Sequence, residues 1–381
     1  MKPIIRHRLL ALGGALALAA GSLAVTSTTA GAAAGDPLDA ARSLVSAGAP
    51  GAVAAISDAY GTRIAAAGVA DIQRGRPMGP RERFRIGSVS KSFTAVTVLR
   101  LVARHRIALD APVERYLPGL VPGGEAITIR HLLGMRSGLY GYKDDAFIER
   151  LYAGPAGYRW TPAQLLRGAL RRPVLFRPGA RGDYSNTNYV LLGLVVERVT
   201  GRPFSHALRT LVLRPLGLRD TVLANGTISG HHAHGYDRPG APFETVAGGA
   251  FGDVEHLNGS QAWTAGAMVS SAPDLIRFFR TVLAGRLLPA RLMSDMRRLT
   301  PIPPGKFIDR YGLGVVVNPH SCGDSWGHDG SIEGYVTDVM ATPHGSKVAL
   351  FLTNRELSIP SDAYVPAILD AEERLYCATT A

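Results

Sequence analysis

Two apolar runs flank a polar turn in GAVAAISDAYGTRIAAAGVAD, residues 51–71, a pattern that predicts two strands joined at Asp58 to Gly61. A short helical stretch precedes them from Asp36 to Ala47. In GSVSKSFTAVTVLRLVARH the apolar positions Phe93, Val96, Leu99 and Val102 recur at helical spacing. After Ser92 that helix is apolar around most of its circumference, so it should be buried. From about Leu109 to Arg291 the pattern is helices and loops punctuated by Pro and Gly. Strand-like runs return at 311–317 (YGLGVVV), 334–341 (GYVTDVMA) and 347–354 (KVALFLTN), the last two joined through Pro343 to Ser346. A helix over roughly Pro360 to Leu375 closes the chain. Strands at both ends with helices between imply an α+β architecture: one lobe built from residues 33–108 and 292–381, with an all-helical lobe, 109–291, inserted in it.

The first 32 residues stand outside this pattern. A basic start (Lys2, Arg6, Arg8), an apolar stretch from Leu9 to about Val25 and then small residues read as a secretory signal peptide, 1–32. The apolar stretch is short for a membrane span, and no later segment has 18 uninterrupted apolar residues. The expectation is a secreted, monomeric protein. Its two cysteines, Cys322 and Cys377, would pair in an oxidising compartment.

Composition adds little to this and excludes one class. Hydrophobic residues at 46% and charged residues at 19% are ordinary for a globular protein. The net charge is +12, and of 42 basic residues only Lys2, Lys91, Lys143, Lys306 and Lys347 are lysines. The arginines are scattered rather than gathered on one stretch or interleaved with aromatics, which argues against a nucleic-acid partner.

One of the few lysines lies three residues after a serine. On a helix Ser88 and Lys91 share a face one turn apart. A serine hydroxyl needs a base within hydrogen-bond reach, and a lysine serves as one only when burial lowers its pKa. Two further elements follow downstream. GDYSNTNYVLLG presents Tyr184 and Asn186 on a turn before an apolar helix, and SWGHDGSIEGY carries His328, Asp329 and Gly330 into a strand. Each alone is a common pattern.

Together and in this order, Ser88-x-x-Lys91, Tyr184-x-Asn186 and His328-x-Gly330 resemble the serine penicillin-recognising family, the class C β-lactamases and D-alanyl-D-alanine carboxypeptidases. RFRIGSVSKSFTA, HLLGMRSGLYGY, TAGAMVSSAPDLIRFF and YGLG extend the likeness over most of the chain, which looks closest to the secreted carboxypeptidases of actinomycetes. The resemblance implies an antiparallel sheet flanked by helices, an active site at the lobe interface and no cofactor. It implies acylation of Ser88, with Lys91 or Tyr184 as base, Asn186 orienting the substrate amide and His328 in the proton network. Ser331 is the candidate second amide of an oxyanion hole, and Tyr140, Tyr142, Phe147 and Trp263 are cleft-wall or core aromatics. The substrate would be a small peptide, a peptidoglycan-like fragment or an ester.

Two positions depart from that pattern. Where the carboxypeptidases grip a carboxylate with an arginine and a threonine, this chain has Val315 to Val317 and Asp329. An aspartate repels an anion, so substrates with a neutral end, such as D-amino-acid amides and esters, should be penalised less than free carboxylates or β-lactams.

Other signals carry less. GDSWG, 323–327, fits Gly-x-Ser-x-Gly and would name Ser325, but no helix follows it and only 56 residues beyond Ser325 could supply partners. HHAH, 231–234, has no carboxylate or cysteine at metal-ligand spacing and reads as a solvated loop. A non-catalytic receptor on this fold should have lost Ser88, Lys91 or Tyr184, and all three are present.

Overall fold

The computed structural model describes residues 35–240, 242, 244–303, 308–357, 361 and 363–378. The signal-peptide reading of residues 1–32 lies outside them. A nine-stranded sheet is assembled from both ends of the chain. β1 (Gly51–Asp58), β2 (Gly61–Asp71) and β3 (Arg76–Pro77) come from the N-terminal side. β4 (Thr300–Pro301), β5 (Arg310–Tyr311), β6 (Val316–His320), β7 (Gly323–Ile332), β8 (Tyr335–Ala341) and β9 (Val348–Thr353) come from the C-terminal side. Their order is β4-β5-β6-β7-β8-β9-β1-β2-β3. All neighbours run antiparallel, and Val53 opposite Leu352 sets the register where the two ends meet.

Both faces of the central strands are buried, which is why β1 and β9 read as continuous apolar runs rather than alternating ones. One face carries Ala52, Ala54, Ile56 and Phe351 and is covered by α1 (Pro37–Ser46) and the C-terminal Tyr364–Cys377 helix. The other carries Val53, Ala55, Leu350 and Leu352 and faces the main core, to which α2 (Ser90–Val102) also belongs, its residues 90–99 all buried. Period-two alternation therefore divides one strand between two cores. α3 (Asn186–Thr200) packs against α2 from the inserted segment.

The sequence pattern needs three corrections. The 311–317 run is broken after Tyr311, because Gly312 to Val315 form a turn with Gly314 at φ +84°. A Cβ at Gly314 would lie 2.2 Å from that of Ala95, so the glycine lets this turn press on α2. The inserted segment is also not all helical. Val222–Leu223 and Met268–Ser271 form a small sheet with Arg83–Arg85, and Tyr236–Asp237, Glu244–Val246 and Phe251–Asp253 form another. Strands of two to four residues are too short to show alternation. Finally α4 (Ala272–Leu283), placed with the insertion by the pattern, lies on the sheet. Its Phe278 stacks on Phe93 at 3.7 Å between ring centroids, and Arg280 donates to the Ser57 hydroxyl at 3.0 Å.

A disulfide joins Cys322, in the β6–β7 turn, to Cys377, the last residue of the closing helix, α5 (Tyr364–Cys377), across 55 residues. Closing a loop of that size restricts the unfolded chain. The double variant Cys322→Ser/Cys377→Ser should lose about 2–4 kcal/mol of stability in a denaturant titration while keeping its hydrolytic rate. Among the described residues no helix is long and apolar enough to cross a membrane.

Candidate active site

Ser88 lies in a single 3-10 turn, Gly87–Val89, that runs directly into α2. The turn is pressed against β7 by two glycines. A Cβ on Gly87, whose φ is +49°, would stand 2.9 Å from the Ser331 backbone, and one on Gly330 would stand 2.2 Å from the Ile86 carbonyl and 3.0 Å from the Ser88 nitrogen. Only with hydrogen at both positions do the Ser88 and Ser331 backbones come this close, the placement an oxyanion hole needs. β6 pairs with β7 only as far as Gly327, so residues 328–332 form a strand edge that is open on the side of Ser88. Gly330→Ala would push the Ser88 turn off this edge. We expect a loss of kcat of at least about a hundredfold with about 1–3 kcal/mol of destabilisation, read by steady-state kinetics and thermal unfolding.

Lys91, one turn into α2, is fully buried. Its Nζ lies 2.8 Å from Ser88 Oγ and donates to the Ala265 carbonyl at 2.7 Å. Burial holds its pKa well below the ordinary lysine value. Lys143 pushes the same way, while Asp329 opposes. Tyr184 comes from the turn before α3, which is pinned to residues 135–142 by Asp183 N donating to the Met135 carbonyl (2.8 Å) and Ser185 Oγ donating to that of Tyr140 (3.1 Å). The Lys91 Nζ sits 4.9 Å from the Tyr184 ring centre. Burial raises the Tyr184 phenol well above its usual pKa, Asp329 adds to this, and the facing Ser88 hydroxyl opposes. The environment thus favours an uncharged amine and an uncharged phenol on either side of one serine.

Asn186, at the start of α3, lines the small cavity at Ser88 with Tyr142, Lys143, Ala265, Ser331 and Ile332. Lys143 is half-buried there and paired with Glu333 at 3.0 Å, and Glu333 also accepts from Gln261 Nε2 at 2.6 Å. Larger hollows lie elsewhere, one beside Tyr158, Trp160 and Arg167.

His328 faces the same side of β7 but stands behind these groups. Its Nδ1 is 2.6 Å from the Asp329 carbonyl, which can only accept, so the proton sits on Nδ1, while Nε2 faces the Tyr311 hydroxyl at 3.0 Å. Burial first, and the Lys91 charge second, lower its pKa to about 3. A ring held neutral in this way orients Tyr311 rather than carrying a proton as imidazolium.

Several expected side chains point elsewhere. Asp329 and Ser331 alternate with His328 and Gly330, so they sit on the opposite side of the strand and line a cavity beneath α5. The Ser331 hydroxyl donates to Glu356 at 2.9 Å, leaving its backbone as the part that meets Ser88. The Asp329 side chain is 31% exposed, but its Oδ1, 3.7 Å from His328 Nδ1, is buried. Burial pushes its pKa to about 6, against a backbone hydrogen bond and Lys91. Phe147 and Trp263 are core residues, not cleft walls. Phe147 is 1% exposed and packs edge-on to Tyr142, while Trp263 packs on Phe204. Val316 is buried, and Arg310 is committed to Asp324 at 2.6 Å.

Ser325 has more company than its sequence suggested. His320 Nε2 lies 2.9 Å from its Oγ, and Glu373 Oε2 lies 3.3 Å from His320 Nδ1. This hydrogen-bonded row, however, lies mid-strand in β7 with Ser325 buried, whereas a Gly-x-Ser-x-Gly nucleophile stands exposed on a strand-to-helix turn. Missed altogether from sequence were the Ala265 carbonyl, the pair Tyr189 and Tyr311 behind His328, and the Lys143–Glu333 pair. No local motif marks any of them.

A serine paired with a desolvated lysine between an antiparallel sheet and a mainly helical insertion defines a serine hydrolase of the penicillin-recognising architecture. The chain belongs to the Beta-lactamase family, whose model matches residues 32–371. It is 33% identical to esterase EstB of Burkholderia gladioli over 303 residues, 73% of this chain and 72% of that one. Among solved structures it resembles a D-stereospecific amidohydrolase from a Streptomyces species, with TM-score 0.78 and 34% identity over 90% of this chain and 98% of that one. It also resembles the D-amino acid amidase of Ochrobactrum anthropi SV3, with TM-score 0.79 and 26% identity over 89% and 96%.

Proposed function

We propose that the protein is a secreted hydrolase of small amides and esters, with D-amino-acid amides as the favoured class, acting through an acyl-enzyme on Ser88. The observation that carries this reading is the 2.8 Å contact between Ser88 Oγ and a buried Lys91 whose pKa is driven down. The uncharged amine takes the Ser88 proton as Oγ attacks the substrate carbonyl. The backbone N–H groups of Ser88 and Ser331 receive the developing oxyanion. The Tyr184 phenol donates its proton to the leaving nitrogen or oxygen and regains one from the Lys91 ammonium. Water then attacks the ester formed on Ser88, with the same groups returning the protons in reverse. Asn186 orients the substrate amide from the far wall of the cavity.

The preference for a neutral end is supported by Val316 in the core and by the pairing of Arg310 with Asp324. The resemblance to an esterase and to two amide hydrolases points the same way. Secretion is supported by the leader pattern and by the Cys322–Cys377 disulfide.

A substrate panel tests the reading. D-Phenylalanine amide and a nitrophenyl ester should show kcat/KM at least about tenfold above a D-alanyl-D-alanine peptide, and the reverse order would refute the preference. Because the folded Asp329 pKa lies near 6 and its unfolded value near 3.8, the folded state holds more protons between them. Stability from this group is therefore lost as pH rises from about 4 to 6. Asp329→Asn should remove that slope, about 1–2 kcal/mol once solvent screening is allowed for.

A further inference from the structure

We infer that the inserted segment carries a divalent metal site, of the kind that takes Zn²⁺, built from His232, His234 and Glu255. In sequence the two histidines lack a ligand partner, but pairing of Tyr236 with Asp253 brings a D-x-E segment, residues 253–255, alongside H-x-H, residues 232–234. One ligand atom from each of the three residues lies within 4.8 Å of the others. Glu255 Oε2 is 2.7 Å from His232 Nε2 and 3.7 Å from His234 Nε2. Donors bonded to one tetrahedral zinc at about 2.0–2.1 Å stand roughly 3.3 Å apart, so the two distances bracket what an ion would draw together.

Both rings are preset for this by their other nitrogen. His234 Nδ1 faces Asp253 Oδ2 at 3.0 Å, and His232 Nδ1 faces the Gly230 carbonyl at 2.6 Å. Asp253 is itself fixed, because its Oδ1 accepts from the Glu255 backbone at 2.8 Å. A carboxylate or carbonyl behind each imidazole fixes the proton on Nδ1 and turns the Nε2 lone pair toward the common point, the usual support of metal-bound histidine. For His232 both nitrogens face acceptors, and a neutral ring has only one proton to offer, so a cation between Nε2 and Glu255 satisfies both contacts. His232 is 6%, His234 14% and Glu255 23% exposed, which leaves water access to a fourth position. Asp71 Oδ2 lies 3.9 Å from His234 Nε2 but is held by Arg74 at 2.8 Å.

The ion would lock the 230–237 segment to the 253–257 turn. That segment hydrogen-bonds the end of β2 (His234 N to the Ala70 carbonyl, 2.8 Å) and the strand leading to Ser88 (Ala233 N to the Arg83 carbonyl, 3.0 Å). None of the three ligands lines the Ser88 cavity, so the metal is structural and hydrolysis does not need it.

The test uses full-length mature protein without a histidine tag, stripped with a chelator and titrated with Zn²⁺ by calorimetry. We expect one equivalent bound and a melting temperature that rises with added Zn²⁺. His234→Asn and Glu255→Gln should abolish saturable binding, Asp253→Asn should weaken it by about 10–100-fold, and His231→Asn, whose side chain is 73% exposed, should leave it intact. Retained ester hydrolysis in each variant reports that it is folded. On the unmutated chain, bound Co²⁺ should give the visible bands of a four- or five-coordinate nitrogen and oxygen site. Absence of saturable binding, binding unchanged in His234→Asn and Glu255→Gln, or a six-coordinate Co²⁺ spectrum overturns the inference.

Discussion

Lys91→Met is expected to lower kcat by at least about a thousandfold while the protein remains folded, a loss at the upper range for a single general base. Methionine fills most of the same volume and needs no proton, so it replaces the amine without burying a charge. It removes the one group that stands 2.8 Å from Ser88 Oγ. Lys91→Arg should be equally inactive for another reason, since guanidinium keeps its proton and cannot serve as base. The pH dependence follows from the same burial. Activity should rise with pH as the Lys91 ammonium loses its proton, at a pH well below the ordinary lysine value of 10.5. The unfolded chain holds that proton up to about pH 10.5 while the folded chain releases it earlier. Lys91 therefore adds stability as pH rises toward 10.5, and Lys91→Met should flatten that part of the stability curve. Stopped assays and thermal melts across pH read both effects.

The resemblance left the choice between Lys91 and Tyr184 as base open, and the environments of the two side chains favour one answer. Both are buried, but burial acts oppositely on them: it favours the free amine and disfavours the phenolate. A phenol held uncharged serves as a proton donor to the leaving group, which is the complementary role.

Ser88→Ala should remove activity more completely, by at least about ten-thousandfold, because no covalent intermediate can form. The same substitution leaves the 3-10 turn, the two glycine contacts and Lys91 in place, so binding of substrate should survive with KM little changed. Ser325→Ala is the matched control. Its hydrogen bond to His320 puts a base beside it, yet its place mid-strand and its burial give a substrate no approach. The control should retain wild-type rates, with a modest drop in melting temperature from the lost hydrogen bond.

How far the sequence carried can be judged from particular residues. The β1–β2 hairpin and α2 were legible because each is long enough for its apolar pattern to declare itself, and Ser88 and Lys91 were legible because both lie within one helical turn. The short strands at 222–223, 236–237 and 251–253 were not, and with them went the approach of Asp253 and Glu255 to His232 and His234, which depends on a strand pairing 17 residues apart in sequence. Asp329 was found at the right place on the chain but assigned to the cleft without regard to alternation, which turns it toward the opposite side of β7 from His328. Phe147 and Trp263 look alike in sequence whether they line a cleft or fill a core, and packing chose the core. Of the two grounds the sequence offers against Ser325, the shortage of partners fails, since His320 and Glu373 are both in place, while the strand-like context that follows it holds.

Acylation of Ser88 can be read by trapping the intermediate. Mature protein is mixed with excess nitrophenyl ester, quenched in acid within the first turnover, digested and sequenced by mass spectrometry. One acyl group per chain is expected on the peptide containing Ser88, and none in Ser88→Ala. An acyl group on Ser325, or full turnover with no acylated serine, would contradict it.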